Sequence, residues 1–525
     1  MKKNFLLFLA LVLISCNDYK NKKADKDTTP IVTLTKEGKI LAIDSTVLHK
    51  SKDSTVIDFY HSNNNKTFWL AFNCRKSLID ELKNVEDEGL NRADFDLKKI
   101  IKFENTIGTL SDKALIEYDI LLTENLSKYV KKVANGSLNP KELYKDWDLK
   151  DNKINPKKLL LNFQRKDSFD YALYAVKPNH IVYRKLKHAL KLINQFPDKN
   201  IEVLEAKDKI VYKDTHDLLP EIKKRLAYWH DLKMPDSITS IYDENTLIGV
   251  KKFQSRHGLA PDGVIGKGTL SALNYSKKKR KEQIIVNMER WRWFPKQFEK
   301  EYILINIPDY TLNVVKKNDT IRTHRIIVGK SSRSTPILYS KLSYVVFNPT
   351  WTLPPTILKE DVIPAATKNR GYFATKNITI YNGNTEVSPD DWNPAKAKSY
   401  RYVQPPGSSN SLGLVKIMFP NKHSVYLHDT NSRGYFGREN RSLSSGCIRV
   451  QNPFELTEYL LEDSINWTKA KIDEVLAEAE TKNVNFKKDI YLHILYWTAW
   501  SEGDKLQFRD DIYRLDFDLY KKLRN

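Results

Sequence analysis

The sequence predicts a multidomain α+β protein in which helices come first and a mainly β domain follows. Three observations carry this. At 525 residues the chain is too long for one hydrophobic core and has room for roughly three domains plus linkers. Between about residues 54 and 220, apolar side chains recur at helical spacing, as in Leu186, Ala189, Leu190 and Ile193, and in Leu115, Tyr118, Leu122, Leu126 and Tyr129. From about residue 283 the period switches to two: Tyr302, Leu304 and Asn306, then Leu312 and Val314, with Lys317-Asn318-Asp319 as the turn into a further strand. Apolar residues make up 41% and charged residues 29%, the balance of a globular, soluble chain. The extreme N-terminus departs from that balance.

Lys2 and Lys3 precede an apolar run over residues 5–14, the charged and hydrophobic regions of a secretory signal, and the run is too short to span a bilayer. Leu13-Ile14-Ser15-Cys16 reads as a lipobox, cleaved before Cys16 with the thiol lipidated; an ordinary signal peptide with an incidental cysteine is the alternative. Residues 1–15 are thus expected to be a lipoprotein signal and 16–50 a flexible, polar tether, which makes the protein periplasmic and anchored to the inner or outer membrane. Residues 51–220 are expected to be a helical scaffold with no chemical constellation of their own. Cys74 is assigned to a buried structural thiol, because a bridge to Cys447 would silence the nucleophile proposed below.

The formal charge of +22 favours an anionic wall or membrane surface, with salt-sensitive strength. Its densest run, Lys277-Lys278-Lys279-Arg280-Lys281, reads as a solvated linker between modules rather than a nucleic-acid patch, since a secreted protein does not meet nucleic acid and no interleaved aromatics accompany it. Within residues 221–275, Val250, Phe253 and Leu270 can pack while Asp262-Gly263 and Gly266 turn the chain. The string 263–268 superficially resembles a phosphate loop, but its spacing fits neither Walker nor dinucleotide patterns. Near the end, residues 491–512 suggest one more strand pair before a helix-like tail, with Trp497 and Trp500 packing the core.

Chemistry concentrates in Tyr426-Leu427-His428-Asp429-Thr430 and Ser444-Ser445-Gly446-Cys447-Ile448-Arg449-Val450. A cysteine attacks carbonyls as thiolate and needs an imidazole or a helix N-terminus to lose its proton. His428 lies nineteen residues before Cys447, enough for two strands and a loop to bring their ends together. The Ser-Ser-Gly turn can aim backbone N–H groups at a developing oxyanion, with Gly446 at the close-backbone position. A cysteine acyl-transfer enzyme follows as the leading reading. No cofactor is implied, and no metal, because the eleven histidines show no paired ligand spacing.

This pattern resembles the His…Ser-x-Gly-Cys-[Ile/Val]-Arg signature of L,D-transpeptidases with a YkuD-type catalytic domain, and most of all the large YcbB-type enzymes. The resemblance runs colinearly through Asn306-Ile307-Pro308, Ile327-Val328-Gly329, Thr335-Pro336, Trp351, Pro354-Pro355-Thr356, Val403-Gln404-Pro405-Pro406-Gly407, Met418-Phe419-Pro420-Asn421 and Tyr496-Trp497-Thr498-Ala499-Trp500. In the broader family the residue before the signature Gly is commonly His; Ser445 stands there, as in YcbB-type members, so a second-histidine role is lost. Upstream, Tyr242-Asp243, Phe253-Gln254, His257-Gly258-Leu259, Asp262-Gly263 and Leu273-Asn274 make 221–275 similar to a three-helix peptidoglycan-binding module, with a pure folding module as the alternative.

The resemblance implies a catalytic domain over 283–525 whose segment of about 350–413 caps the active site as a mobile lid; a structural excursion covering a sheet edge is the alternative. It implies cell-wall biogenesis and cell shape, with peptidoglycan tetrapeptide stems as donor and acceptor, release of D-Ala, a Cys447 thioester and a 3→3 cross-link. Carbapenems are then expected covalent inhibitors. His428 is oriented by the Asp429 backbone carbonyl rather than by its carboxylate, since neighbours on a strand point to opposite faces. Tyr426, on the His428 face, shapes the donor site, and Ser445 joins it as a substrate contact. Arg449 is either a carboxylate clamp or a salt bridge bracing the loop. An L,D-carboxypeptidase with water as acceptor, and a non-catalytic wall-binding lipoprotein, remain the alternatives.

Overall fold

The computed structural model describes residues 40–149, 155–163, 169–234, 236–461 and 466–524. The expected signal, Cys16 and the tether as far as residue 39 lie outside these residues. The tether does not extend to residue 50. Ile43 and Leu48 are buried in the first core, Ala42 bridges to Lys66, and a short helix Ser45–Leu48 is capped by Asp44. Three large apolar side chains within eight residues, Leu41, Ile43 and Leu48, make burial more favourable than solvation.

The first core is helical. Its axis is Asp112–Asn135, which starts at the Ser111 cap and ends at Gly136, where φ is +81° and an added Cβ would meet Glu289 Oε1 at 2.7 Å. Tyr118, Leu122, Leu126, Tyr129 and Val133 form its buried stripe against helices Ser54–Ser62 and Phe72–Lys83. Asp119 on the same helix accepts the Tyr60 hydroxyl at 2.6 Å and the Trp69 N–H at 2.8 Å, and burial lifts its carboxyl to about 6. Cys74 sits in the first turn of Phe72–Lys83, packed on this core but half-buried rather than fully enclosed.

The helical region does not form one scaffold core up to residue 220. The predicted stripe Leu186, Ala189, Leu190 and Ile193, on helix Ile181–Gln195, packs into a second core that draws its residues from between Trp147 and Leu519. Helix Lys277–Trp293 is its spine, and here the sequence reading needs correction. The Lys-rich run is not a solvated linker; it is the first turn of this helix, capped by Ser276. Arg280 is buried because its guanidinium lies 4.2 Å from the Tyr275 ring and 4.4 Å from the Phe508 ring, while Lys278 and Lys279 face solvent. Further along the same helix, Arg292 pairs with Glu289 at 2.9 Å and reaches the Tyr183 hydroxyl at 3.1 Å.

Between these helices lie Leu219–Tyr228, Glu244–Arg256 and Lys267–Leu273. Gly263 turns at φ +81°, and its N–H is received by Gln254 Oε1 at 2.9 Å. His257 is a core residue stacked 3.8 Å from Phe253, and Arg256 is buried against Asp231.

The remaining layer is a twisted sheet. Its strands are β1 Trp147–Asp148, β2 Glu301–Asn306, β3 Thr311–Lys316, β4 Asp319–Gly329, β5 Ile337–Lys341 and β6 Tyr344–Phe347. After β7 Trp351–Thr352, β8 Thr379–Asn382, β9 Thr385–Val387 and β10 Arg401–Gln404 come β11 Val415–Met418, β12 Leu427–His428, β13 Ser442–Ser444 and β14 Ile448–Val450. The last are β15 Lys482–Asn485, β16 Tyr491–Leu495, β17 Ala499–Glu502 and β18 Lys505–Phe508. Among the described residues, twelve of these join in the order β1-β5-β16-β2-β3-β4-β14-β12-β11-β6-β15, with β13 on β4 off that path. The first member is not local: β1 comes from the helical region and adds parallel to β5. The expected strand pair near the end is β17 with β18, turning at Gly503, and helix Asp516–Arg524 follows. Trp497 is buried as expected, whereas Trp500 is partly buried under the Arg509 guanidinium at 4.6 Å.

Residues 351–404 leave the main sheet. β7, β10, β8 and β9 form a separate four-stranded sheet that encloses its own small core around Phe373, Trp392 and Tyr402. The main-sheet edge at that end is formed by β15 on β6.

Candidate active site

Three adjacent strands position the chemistry. β11 and β12 pair antiparallel with Lys416 opposite His428, and β12 and β14 pair parallel with His428 opposite Arg449. Side chains alternate along a strand, so Leu427, Ile448 and Val450 enter the core while Tyr426, His428, Cys447 and Arg449 share the other face and line one cavity of about 780 Å³. The excursion supplies the opposite wall through Trp351, Leu353, Pro355, Asp361 and Tyr372.

His428 is only 5% exposed. Burial, with the Arg449 and Lys416 cations nearby, holds its pKa down to about 3; the backbone carbonyls of Asp429 and Leu412 beside the ring oppose this, and among the described residues Nδ1 makes no hydrogen bond of ordinary geometry. Burial pushes the Cys447 thiol up, opposed by hydrogen bonds from Tyr426 and by the Lys416 and Arg449 charges. Both groups are therefore neutral at rest. The Tyr426 ring lies 5.6 Å from the His428 ring, and the Lys416 ammonium sits 4.0 Å over it. Cys447 Sγ faces the Ser424 carbonyl at 4.0 Å.

The Asp429 carboxylate is turned away from the imidazole. It accepts the Leu414 N–H at 3.0 Å and pairs with Arg433 at 2.9 Å. Gly413 has φ +63°, and any Cβ there would collide with this carboxylate, so the close approach fixes the loop that brings the Leu412 carbonyl to His428.

The turn before Cys447 differs from the sequence expectation in one respect. Gly446 has φ +111°, as a glycine turn requires, but its N–H donates to Ser444 Oγ at 3.1 Å and its carbonyl accepts the Thr335 hydroxyl at 2.9 Å. An N–H committed inside the turn is not available to an oxyanion. Among the described residues neither the Cys447 N–H nor the Ser445 N–H carries a hydrogen bond, and both are donors left at this turn. Ser445 is exposed, and its Oγ accepts from Arg333 at 2.8 Å. Arg333 also pairs with Asp361 and Glu360 at 2.6 Å each, tying the excursion to the turn before Cys447. Arg449 has no carboxylate partner among the described residues, which disfavours the brace and leaves its guanidinium free to the cavity.

Sequence reasoning did not single out Lys416, Arg333 or Asp146. Lys416 carried a local signal, a lone cation between Val415 and Ile417 in an alternating strand, but its neighbour becomes known only from register. Among the described residues no group of three metal-ligating side chains occurs.

Comparison with known proteins gives three family-model matches: residues 300–472 to the L,D-transpeptidase catalytic domain, 54–190 to the scaffold domain and 215–273 to the "Putative peptidoglycan binding domain". A protein of Haemophilus influenzae named "Putative L,D-transpeptidase" is 38% identical over 239 residues, which is 45% of this chain and 48% of that protein. The chain thus spans about half the length of that curated relative. Two solved L,D-transpeptidase structures also align. The one from Xylanimonas cellulosilytica is 13% identical, with 55% of this chain and 100% of that one covered and a TM-score of 0.18. The one from Stackebrandtia nassauensis is 12% identical, with 57% and 97% covered and a TM-score of 0.21. Scores this low carry no argument.

Proposed function

The chain carries an L,D-transpeptidase catalytic domain behind a scaffold domain and a module of the peptidoglycan-binding type, and on that premise we propose that it cross-links peptidoglycan stems 3→3 through a Cys447 thioester. The observation that supports this most is the Cys447 thiol and the His428 imidazole sharing one face of neighbouring strands in one cavity. His428 takes the thiol proton as sulfur attacks the carbonyl between the diamino acid's L-centre and terminal D-Ala. The Cys447 N–H meets the oxyanion, and the Lys416 and Arg449 charges favour the transient thiolate. The imidazolium returns its proton to the departing D-Ala amine. A side-chain amine of a second stem then attacks the thioester, and the thiol is regenerated.

The Asp429 backbone carbonyl orients His428, a role supported by the carboxylate's engagement elsewhere. Tyr426, Ser445 and Arg449 receive the donor, with Arg449 free to meet a stem carboxylate. The lid role of residues 350–413 is supported by their place across the cavity. The lipobox at Cys16 and the preceding apolar run support lipid anchoring in the periplasm, and carbapenems are expected to acylate Cys447. Mass spectrometry of products from purified disaccharide-tetrapeptide tests the reading. A dimer that has lost one D-Ala, and that disappears with Cys447→Ala, is expected. Tripeptide alone means a carboxypeptidase, and an unaltered substrate overturns the enzymatic reading.

A further inference from the structure

The helical region contributes more than support to the cavity. Trp147 is stacked on Phe294 at 5.8 Å and wedged edge-on against Trp293 at 5.6 Å, which fixes β1 beside β5. On one side of this anchor Asp148 meets Lys422 at 3.0 Å and His423 at 3.4 Å, steadying the loop whose Ser424 carbonyl faces the thiol. On the other side Asp146 enters the cavity wall, where Oδ2 accepts the Ser334 hydroxyl at 3.0 Å. The Ser334 carbonyl in turn abuts Gly446, at 3.4 Å from where a Cβ would stand. One residue therefore separates this carboxylate from the nucleophile turn.

The cavity lining is otherwise cationic, with Lys330, Arg333, Lys376 and Arg449 against two carboxylates, Asp146 and Asp361. Asp361 is held by Arg333. Asp146 has no ion pair among the described residues, so it is the acid open to an incoming cation. Both stems carry the diamino acid's side-chain amine, an ammonium in neutral water, but only the acceptor must bring that group up to the acyl carbon at the nucleophile turn. The geometry points to Asp146 as the residue that recognises the acceptor, receiving its ammonium in a charge-assisted hydrogen bond at the mouth of the thioester site. This rests on the transpeptidase reading above. The ammonium then yields one proton to solvent, the amine nitrogen bonds to the acyl carbon as the C–S bond breaks, and the second N–H proton passes through His428 to sulfur, leaving amide and thiol.

The test uses the full chain with disaccharide-tetrapeptide as donor and a varied concentration of isotopically heavy disaccharide-tripeptide as acceptor, reading by mass the ratio of dimer that carries one heavy stem to light tripeptide released by hydrolysis. With Asp146→Asn the ratio is expected to fall about tenfold through a higher acceptor KM, with kcat approached at saturating acceptor, and Asp146→Glu to restore most of it. A ratio equal to that of the unmodified protein overturns the inference, including the case in which both products fall together because the fold is disturbed. Absence of dimer from the unmodified protein overturns the transpeptidase reading and this inference with it; dimer formed with an Asp146-independent ratio overturns the inference alone.

Discussion

If His428 acts as a neutral base, the acylation rate should keep its plateau far into acid. The perturbation is pH. An ordinary imidazole, with a pKa near 6.5, would be only ~3% neutral at pH 5 and would cost the rate about thirtyfold. Held down to about 3 by burial and by Arg449 and Lys416, the ring remains ~99% neutral at that pH. The difference from 6.5 corresponds to about 5 kcal/mol against protonation in place, at ~1.4 kcal/mol per unit. The assay is D-Ala release at low tetrapeptide concentration between pH 4 and 9, with circular dichroism at each point to exclude unfolding. An acid limb centred between 6 and 7 would refute the reasoning, because it would mean an ordinary imidazole or a preformed thiolate–imidazolium pair. Arg449→Met should move the limb upward by about one unit, since Arg449 is the larger of the two charges acting on the ring. The same shift bears on stability. A depressed folded-state pKa contributes stability that is fully present above 6.5 and is lost as pH falls toward about 3. From His428 alone, the protein should be about 3 kcal/mol less stable at pH 4 than at pH 7.

Lys416→Met should raise the pH midpoint of Cys447 alkylation, because it removes a charge that opposes the burial of the thiol; iodoacetamide kinetics in a Cys74→Ser background measure it, and an unmoved midpoint would deny Lys416 that role. Gly413→Ala should destabilise by about 2 kcal/mol, from backbone strain at φ +63° and collision with the Asp429 carboxylate, and should lower kcat by displacing Leu412; thermal denaturation and turnover read the two effects. Asp231→Ala should cost about 3–5 kcal/mol, since it leaves the buried Arg256 charge without a carboxylate, and chemical denaturation measures this.

That His428 and Cys447 would meet in one cavity was legible because each sits in a short contiguous string at the end of a strand. Their common face followed from strand alternation. What lay beyond the sequence was register: Lys416 opposite His428, Arg333 reaching Ser445 across 112 residues, and Asp146 delivered by a strand from the helical region. No periodicity encodes such pairings. The Lys-rich run misled for a related reason, since Arg280 is buried through Phe508, far along the chain. Gly446 was correctly a turn glycine, yet whether its N–H faced outward depended on the rotamer of Ser444.

The parallel addition of β1 to β5 bears on how the catalytic part can be handled. A fragment beginning near residue 283 would strip β1 from the sheet and bare the N–H and C=O groups of β5, an unprotected edge that invites pairing with another chain. It would also remove most of helix Lys277–Trp293 from its neighbour Ile181–Gln195, exposing an apolar seam that both sides now hide. Such a fragment should aggregate on expression even though every residue from Tyr426 to Val450 is retained.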